Sequence, residues 1–372
     1  SSTVSSQSPI KIMMLSGACL TGQNVMATLA CRRDKVQTIA LNSDPEEPAL
    51  YEFDHVRLVP ELRKDPARFL ALFEAAMQDF QPDMVVPCRD DDMLFLAEQS
   101  KRLPGMASGF LCGNADTASA MLNKLESWKF SETHALPFAP TIHCLEDPND
   151  IVAFANRHGY PLICKPMEGF ASKGISLVTN EHQLRHHIGA EQMIVQAFLG
   201  DPLVVDEYQQ ICALGGVPLF QSFEGLKVSI QTYTNADGSV GRIFVTENTM
   251  RQGRSELVCV SDEEDAHDIG VRCTEAFAAA GWRGPLNIQC QRTPEGELYI
   301  YEFNGRFTGA TSARYYLGYD EIGAAILDRC GVDISDGEEH SAVSYVKRGL
   351  VSRALRQHDV NELKEKGTWH AG

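Results

Sequence analysis

"ELYIYEFNGRF" (297–307) sets Glu302, Asn304 and Arg306 two residues apart inside an apolar and aromatic run. In an extended strand residues i, i+2 and i+4 share a face, so these three project together while Tyr301 and Phe303 turn the other way. A carboxylate, a carboxamide oxygen and a guanidinium on one face suit a magnesium ion bridged to a phosphate. A strand with one wet face and an incidental salt bridge explains the same triplet, so the surrounding sequence has to decide.

The preceding run has the same character. "GPLNIQCQ" (284–291) puts Asn287 and Gln289 on one face, and "TPEG" (293–296) supplies a turn between the two runs. Paired as a hairpin, the two strands present amide and carboxylate oxygens to one point. One strand with polar alternation is ordinary; two in succession, flanked by apolar residues, are not.

The bulk numbers frame this. A chain of 372 residues exceeds one ordinary domain, so two or three units are expected. With 44% hydrophobic and 22% charged residues the composition is that of a soluble globular protein, and a cytoplasmic location is expected. No apolar stretch is long enough to span a bilayer, and the opening "SSTVSSQSPI" reads as a lead-in without a targeting signal. A net charge of −17 argues against nucleic-acid or membrane partners. A polyanion must therefore bind where cations concentrate inside a cleft. The eleven cysteines contain no C-x-x-C, and Cys88, Cys164 and Cys290 sit in apolar runs, as buried thiols do. His182 and His186 in "HQLRHH" lie one helical turn apart without a third ligand, which reads as a solvated helix face.

Along the chain, "KIMML" and "VQTIALN" read as strands, with a helix to about Arg32 between them. A helix from about Asp65 to Phe80 and the strand in "PDMVVPCRD" continue the alternation, so a doubly wound parallel sheet is expected over 9–110. Glycines 17 and 22 match neither G-x-G-x-x-G nor a P-loop and read as strand-to-helix packing. A second unit, 111–190, holds helices in "MLNKLESWKFSETHALPFAPT" and "DPNDIVAFANRHG", then "YPLICKPMEGFASKGISLV" as strand, loop and strand. There Lys165 interrupts an apolar strand, and Gly169 and Gly174 bracket a tip carrying Ser172 and Lys173. Such a hairpin can lay N–H groups and an ammonium over a phosphate chain. A third unit, 191–335, reads as antiparallel, with "QMIVQAFL", "PLVVDEYQQICAL", "GVPLFQSFEG" and "IQTYTNADGSVGRIFVTEN" as strands, followed by a helix in "EEDAHDIGVRCTEAFAAAGW". Residues 336–372 read as a peripheral helix plus tail.

This order of motifs resembles the ATP-grasp superfamily, and within it the carbamoyl-phosphate-synthetase-like branch and its single-chain amino-acid ligase relatives. The resemblance runs from about 10 to 335 and implies an α/β plus α+β architecture: an ATP-grasp fold behind an N-terminal Rossmann-like, pre-ATP-grasp parallel-sheet domain. "NKLESWKF" looks like the segment whose lysine, Lys124, reaches the nucleotide phosphates. "ICKP" looks like the strand whose lysine, Lys165, contacts the α and β phosphates. "EGFASKGIS" looks like the glycine-rich loop that closes over the triphosphate, implying contacts from Glu168, Gly169, Ser172, Lys173 and Gly174. "MIVQAFLG" looks like the adenine hinge, Gln196, Ala197, Phe198 and Leu199. The two polar strands then look like the metal strands, with Gln289, Glu302 and Asn304 as ligands of Mg²⁺ (or Mn²⁺) and Arg306 as the γ-phosphate partner. In this family a glutamate after the hinge commonly holds the ribose; Pro202 stands there, so either Asp201 or Asp206 substitutes or the ribose is held less tightly. Gly305 replaces the usual proline, a change that loosens the loop.

The chemistry implied is in-line attack of a substrate carboxylate on the γ-phosphorus, giving ADP and an acyl phosphate that an amine then captures. Lys173 and Arg306 would stabilise the transferring group, and the loop would exclude water. ATP, Mg²⁺, a small-molecule carboxylate and an amine are the partners implied, with a homodimer as in many relatives. No G-x-S-x-G and no Cys–His pairing suggests a covalent nucleophile. "RFTGATSARYYLGYDE" places Arg306, Thr308 and Arg314 beside the metal strands as a carboxylate cradle, and Arg251 and Arg254 in "MRQGRSE" can reach the same cleft. Two alternatives stay open: phosphorylation of a carboxylate or carbamate without amide formation, and a nucleotide-binding partner protein without turnover.

Overall fold

Apolar runs, caps and turns divide the chain among three sheets. The computed structural model describes residues 8–169, 174–219, 223, 225–335 and 342–372. The first stretch contains β1 (Ile10–Leu15), α1 (Leu20–Leu29), β2 (Val36–Asn42), β3 (His55–Leu58), α2 (Pro66–Phe80), β4 (Met84–Pro87) and α3 (Asp90–Arg102). β1 lies between β2 and β4, and β3 follows β2, all in parallel. Their apolar runs are buried on both faces, as a helix-covered parallel sheet requires. The Asp65 carboxylate accepts from the Arg68 amide and Pro66 opens α2, so that helix starts where its cap chemistry dictates. After β1, a Cβ on Gly22 would run into the Gly17 carbonyl, which is why the turn needs glycine there.

Next come α4 (Ala115–Leu122), α5 (Lys124–Thr133), β5 (Thr141–His143), α6 (Pro148–His158), β6 (Leu162–Pro166), β7 (Ser176–Val178), α7 (Glu181–His187) and β8 (Met193–Ala197). Where one helix is expected from "MLNKLESWKF", Asn123 divides two: its side chain accepts from the amides of Leu125 and Glu126 and restarts the helix. The four strands form an antiparallel sheet in the order β5-β8-β6-β7 around a core of its own, with Ile151, Leu162, Cys164, Leu184 and Val195. Because β8 pairs with β6, this sheet continues past residue 190.

The remainder contains α8 (Pro202–Gly215), β9 (Leu226–Thr234), β10 (Phe244–Arg251), β11 (Arg254–Val260), α9 (Glu264–Ala279), β12 (Gly284–Arg292), β13 (Leu298–Asn304), α10 (Thr311–Tyr316), α11 (Glu321–Cys330), β14 (Tyr345–Lys347), α12 (Gln357–Lys366) and β15 (Thr368–His370). "PLVVDEYQQICAL" is α8 and not a strand. Asp201 caps it through the Leu203 amide and Pro202 occupies its first turn, and these start signals outweigh the β-branched pair Val204–Val205. The strand expected in "GVPLFQSFEG" falls partly outside the described residues, and its described residues, 216–219, 223 and 225, are not strand.

Six strands form an antiparallel sheet ordered β13-β12-β9-β10-β11-β14. The tail expected after α12 is a strand: β15 pairs antiparallel with β3 at the edge of the first sheet, and Trp369 packs edge-on against Tyr51 with ring centroids 5.1 Å apart. One continuous apolar core, including Phe73, Phe110, Phe277, Trp282, Ile288, Ile300 and Phe303, joins the first sheet's helices to the six-stranded sheet. Each such ring removed from water contributes about 1.5–3 kcal/mol, so the two layers are held in a fixed relation. Buried polar links reinforce it. Arg32 grips Asp320 through two bonds of 2.6 and 2.7 Å, and Asn24 accepts from the Ser312 amide and hydroxyl at 3.0 and 2.8 Å.

Candidate functional site

β12 and β13 pair with Asn287 opposite Asn304 and Gln289 opposite Glu302, so the two polar alternations meet on one face of the hairpin. β9 carries a third: Ser229 lies opposite Gln289 and Gln231 opposite Asn287, with Lys227 two residues further along. Val228, Ile230, Ile288, Cys290, Ile300 and Phe303 fill the core on the other face. The period-2 rule thus holds on three adjacent strands, with one exception. The register slips between Gln289 and Cys290, leaving Tyr301 as an extra residue on β13. Tyr301 therefore stands beside Glu302 on the polar side instead of opposite it, and only Phe303 turns inward as expected.

Four cations converge around Glu302 and Tyr301. Lys124, the first residue of α5, holds its Nζ 3.5 Å from Glu302 Oε1, and its amide donates to the Met167 carbonyl at 2.9 Å. Lys165 on β6, 5% exposed, places its Nζ 6.0 Å from the centre of the Tyr301 ring. Lys227 Nζ lies 5.1 Å from the same ring and donates to Gln291 Oε1 at 2.6 Å. Burial, reinforced by the like charges of Lys124 and Lys227 and opposed by Glu302, pulls the Lys165 ammonium down to about 7. Arg306 pairs with Asp90 at the start of α3, Nε to Oδ1 at 2.8 Å and Nη2 to Oδ2 at 3.2 Å. Lys227, Tyr301 and Asp90 are additions to the residues singled out from sequence. The alternation Lys227, Ser229, Gln231 was readable as a third polar strand face, whereas Asp90 carried no signal before the fold brought it to Arg306.

A cavity of about 560 Å³ opens between this face and the carboxyl ends of the parallel strands. Ser16, Asn42 and Cys88, at or just beyond the ends of β1, β2 and β4, line one wall; Lys227, Ser229, Gln289, Tyr301, Arg306 and Thr308 line the other. The crevice outside the strand carboxyl ends is where open parallel sheets bind ligands. Arg63, Arg89 and Arg254 also face it, as do Glu61, Asp90 and Asp91, so cations and acids share the lining in a chain of net charge −17. Asp92 lines the cavity too. Burial, with Asp91 adding to it, pushes its carboxyl up to about 8.

Of the residues singled out from sequence, Gln289, Arg306, Thr308 and Arg254 line the cavity; Lys124, Lys165, Glu302 and Asn304 stand outside its lining. Arg314 does not face it either. It is fully buried, bonded to Glu321 at 2.5 Å and to the hydroxyls of Thr308 and Thr311 at 2.9 and 3.1 Å, so its charge is committed inside the fold. Arg251 pairs with Glu256 at 3.5 Å on the surface. In the hinge segment Gln196 is buried and donates to Thr141 Oγ1 at 3.0 Å, Ala197 and Phe198 are half-buried, and Leu199 is buried. Glu168 is exposed, Gly169 is half-buried, and Gly174 has a positive φ of 75°. Ser172 and Lys173 lie outside the described residues. Asp201 caps α8 and Asp206 is exposed on it.

The donor set suits a hard cation. Among the described residues no three His, Cys, Asp or Glu side chains cluster, and the hairpin face offers one carboxylate, Glu302, beside the amides of Gln289 and Asn304. That is the composition of a site completed by water and phosphate oxygens. Asn304 is 2% exposed, and its Nδ2, like Asn287 Oδ1, is buried without a hydrogen-bond partner. A half-turn of the Asn304 amide exchanges that nitrogen for an oxygen with little change of shape. The residues present fit the ion.

The family model "Carbamoyl-phosphate synthase L chain, ATP binding domain" matches residues 126–211. Biotin carboxylase of Halalkalibacterium halodurans is 22% identical over 204 residues, 53% of this chain and 42% of the relative. D-alanine–D-alanine ligase of Chromohalobacter salexigens is 26% identical over 195 residues, 52% of this chain and 58% of the relative. The chain thus spans about half the length of these relatives. Among solved structures, N5-carboxyaminoimidazole synthetase from Staphylococcus aureus superposes with a TM-score of 0.61 at 14% identity, covering 87% of this chain and 77% of the other. The biotin carboxylase domain dimer of the Hydrogenobacter thermophilus 2-oxoglutarate carboxylase, in complex with MgADP and bicarbonate, gives 0.61 at 14% identity, covering 88% and 71%.

Proposed function

We propose that this chain, an ATP-grasp protein of the carbamoyl-phosphate-synthetase-like branch, is an ATP-dependent ligase that phosphorylates a small carboxylate and passes the acyl group to an amine, releasing ADP and phosphate. The observation that carries this reading is the hairpin face where Gln289 and Glu302 lie opposite each other beneath Lys124, Lys165, Lys227 and Arg306.

On this reading Lys124 and Lys165 neutralise the phosphate chain of ATP, a role that suits two buried ammonium groups gathered beside Glu302. Gln289, Glu302 and Asn304 would hold Mg²⁺, which when bound neutralises phosphate charge and polarises a phosphoryl oxygen. Arg306 offers its guanidinium to the oxygens of the transferring group at the mouth of the cavity. The cavity takes the carboxylate substrate, with Arg254, Thr308 and Ser229 as its polar contacts. No protein nucleophile is required, and catalysis consists of positioning and charge compensation. The hinge and the glycine-rich segment 168–174 take the adenine and the triphosphate.

The test is a pairwise panel of amino acids and small acids scored for ADP and phosphate. Release of ADP that depends on both an acid and an amine is the expected result; AMP as the nucleotide product, or no ADP with any pair, overturns it. A second reading, with bicarbonate as the acid phosphorylated, is favoured by the bicarbonate complex of the structurally similar carboxylase domain. Bicarbonate-dependent ADP release without any other acid would select it.

A further inference from the structure

Asp90 belongs to the parallel-sheet layer, and Arg306 to the turn that follows the metal-binding hairpin, 216 residues later in the chain. Their side chains meet at the edge of the cavity, 10% and 18% exposed, through two bonds of 2.8 and 3.2 Å. Arg306 Nη1 also donates to the Phe307 carbonyl at 3.0 Å. A guanidinium has five N–H donors, so three are committed and one hydrogen remains on each terminal nitrogen. Both neighbouring carboxylates are engaged elsewhere: Asp91 pairs with Arg63 at 3.7 Å and Asp92 accepts from the Arg89 amide at 3.2 Å.

We propose that Asp90 is a positioning residue that fixes the Arg306 guanidinium so that its two remaining donors meet the anion reacting in the cavity. This rests on the ligase reading for what the anion is, but not for the pairing itself. Arginine on a long side chain has several rotamers, and a two-point grip on one edge removes most of them before the ligand arrives. Asp90 sits at the first position of α3, so the helix backbone fixes where its carboxylate stands. Asp90 lines the cavity as Arg306 does, so the double variant is what separates an effect through Arg306 from direct contact with the ligand.

The experiment compares Asp90→Asn, Asp90→Glu, Arg306→Lys and the double variant Asp90→Asn/Arg306→Lys. With an acid–amine pair that supports ADP release, Asp90→Asn lowers kcat about 10- to 100-fold, as loss of an orienting partner does, while KM for ATP stays within about threefold. Asp90→Glu recovers part of the loss. In the Arg306→Lys background the same Asn substitution costs less than about threefold. Equal losses in both backgrounds, or wild-type kcat in Asp90→Asn, overturn the proposal. A readout without turnover covers the case in which no substrate pair is found: modification of Arg306 by phenylglyoxal, followed by peptide mass. Faster modification in folded Asp90→Asn than in wild type supports the pairing; an unchanged rate overturns it, whatever becomes of the ligase reading.

Discussion

Lys124 Nζ lies 3.5 Å from Glu302 Oε1, tying the start of α5 to the strand that carries the only carboxylate of the candidate metal face. The pair holds the carboxylate in place against the start of α5. Glu302→Ala removes the ion's single anionic ligand, and ADP release is expected to fall by about 10³-fold or more. Its circular dichroism spectrum and melting curve should stay close to wild type, because Glu302 is partly solvent-facing. Retained turnover would remove the metal assignment.

Lys165 is pulled down to about 7 by burial and two neighbouring ammonium groups. Phosphate oxygens beside it favour the charged form and raise it again, so binding of MgATP at about pH 8 is expected to take up a fraction of a proton. Calorimetry in two buffers of different ionisation enthalpy reads this directly. Lys165→Met should abolish the uptake and weaken MgATP by about tenfold or more. Equal proton uptake in the variant would assign it to another group.

Asp92 gives a stability signature independent of catalysis. Its folded carboxyl titrates at about 8 against an ordinary value of 3.8, so between these the folded state holds the extra proton. The stability it contributes is complete below about pH 4 and is lost as pH rises through about 8. Asp92→Asn should therefore gain on wild type in urea midpoint between about pH 5 and about pH 9. A difference that is flat with pH contradicts the assignment.

Arg314 and Glu321 form a fully buried ion pair. Arg314→Ala takes the cation from Glu321, whose carboxyl is already pushed up by burial and which keeps the Gln231 amide at 2.9 Å, and the chain is expected to lose about 3–5 kcal/mol of stability, read by urea unfolding. A variant that unfolds at the wild-type midpoint but shows a raised KM for the acid substrate would return Arg314 to the substrate cradle.

How much of this was legible beforehand varies by element. The polar faces of β12 and β13 were readable because a half-buried antiparallel hairpin must alternate, and the turn between them is short. Tyr301 was assigned to the wrong side because a bulge breaks the alternation without any mark in the sequence. α8 was mistaken for a strand because its Val204–Val205 pair reads extended while its cap sits just outside the apolar run. Gly305 was taken to loosen its loop. A Cβ there would lie 2.5–2.8 Å from Met93, Trp282 and Met121, so the glycine is demanded by tight packing. Arg306 was found without its partner, because a contact spanning 216 residues is invisible until sheets and helices are assembled.

The pairing of β15 with β3 has a kinetic side. His370 meets His55 across a separation of 315 residues, so the outer edge of the first sheet is closed by a segment synthesised long after the strand it covers. Until then β3 offers unpaired amides and carbonyls, an open template for another chain. Loop closure over such a span is slow, and nascent protein passes through a window in which chaperone cover matters most for the first sheet.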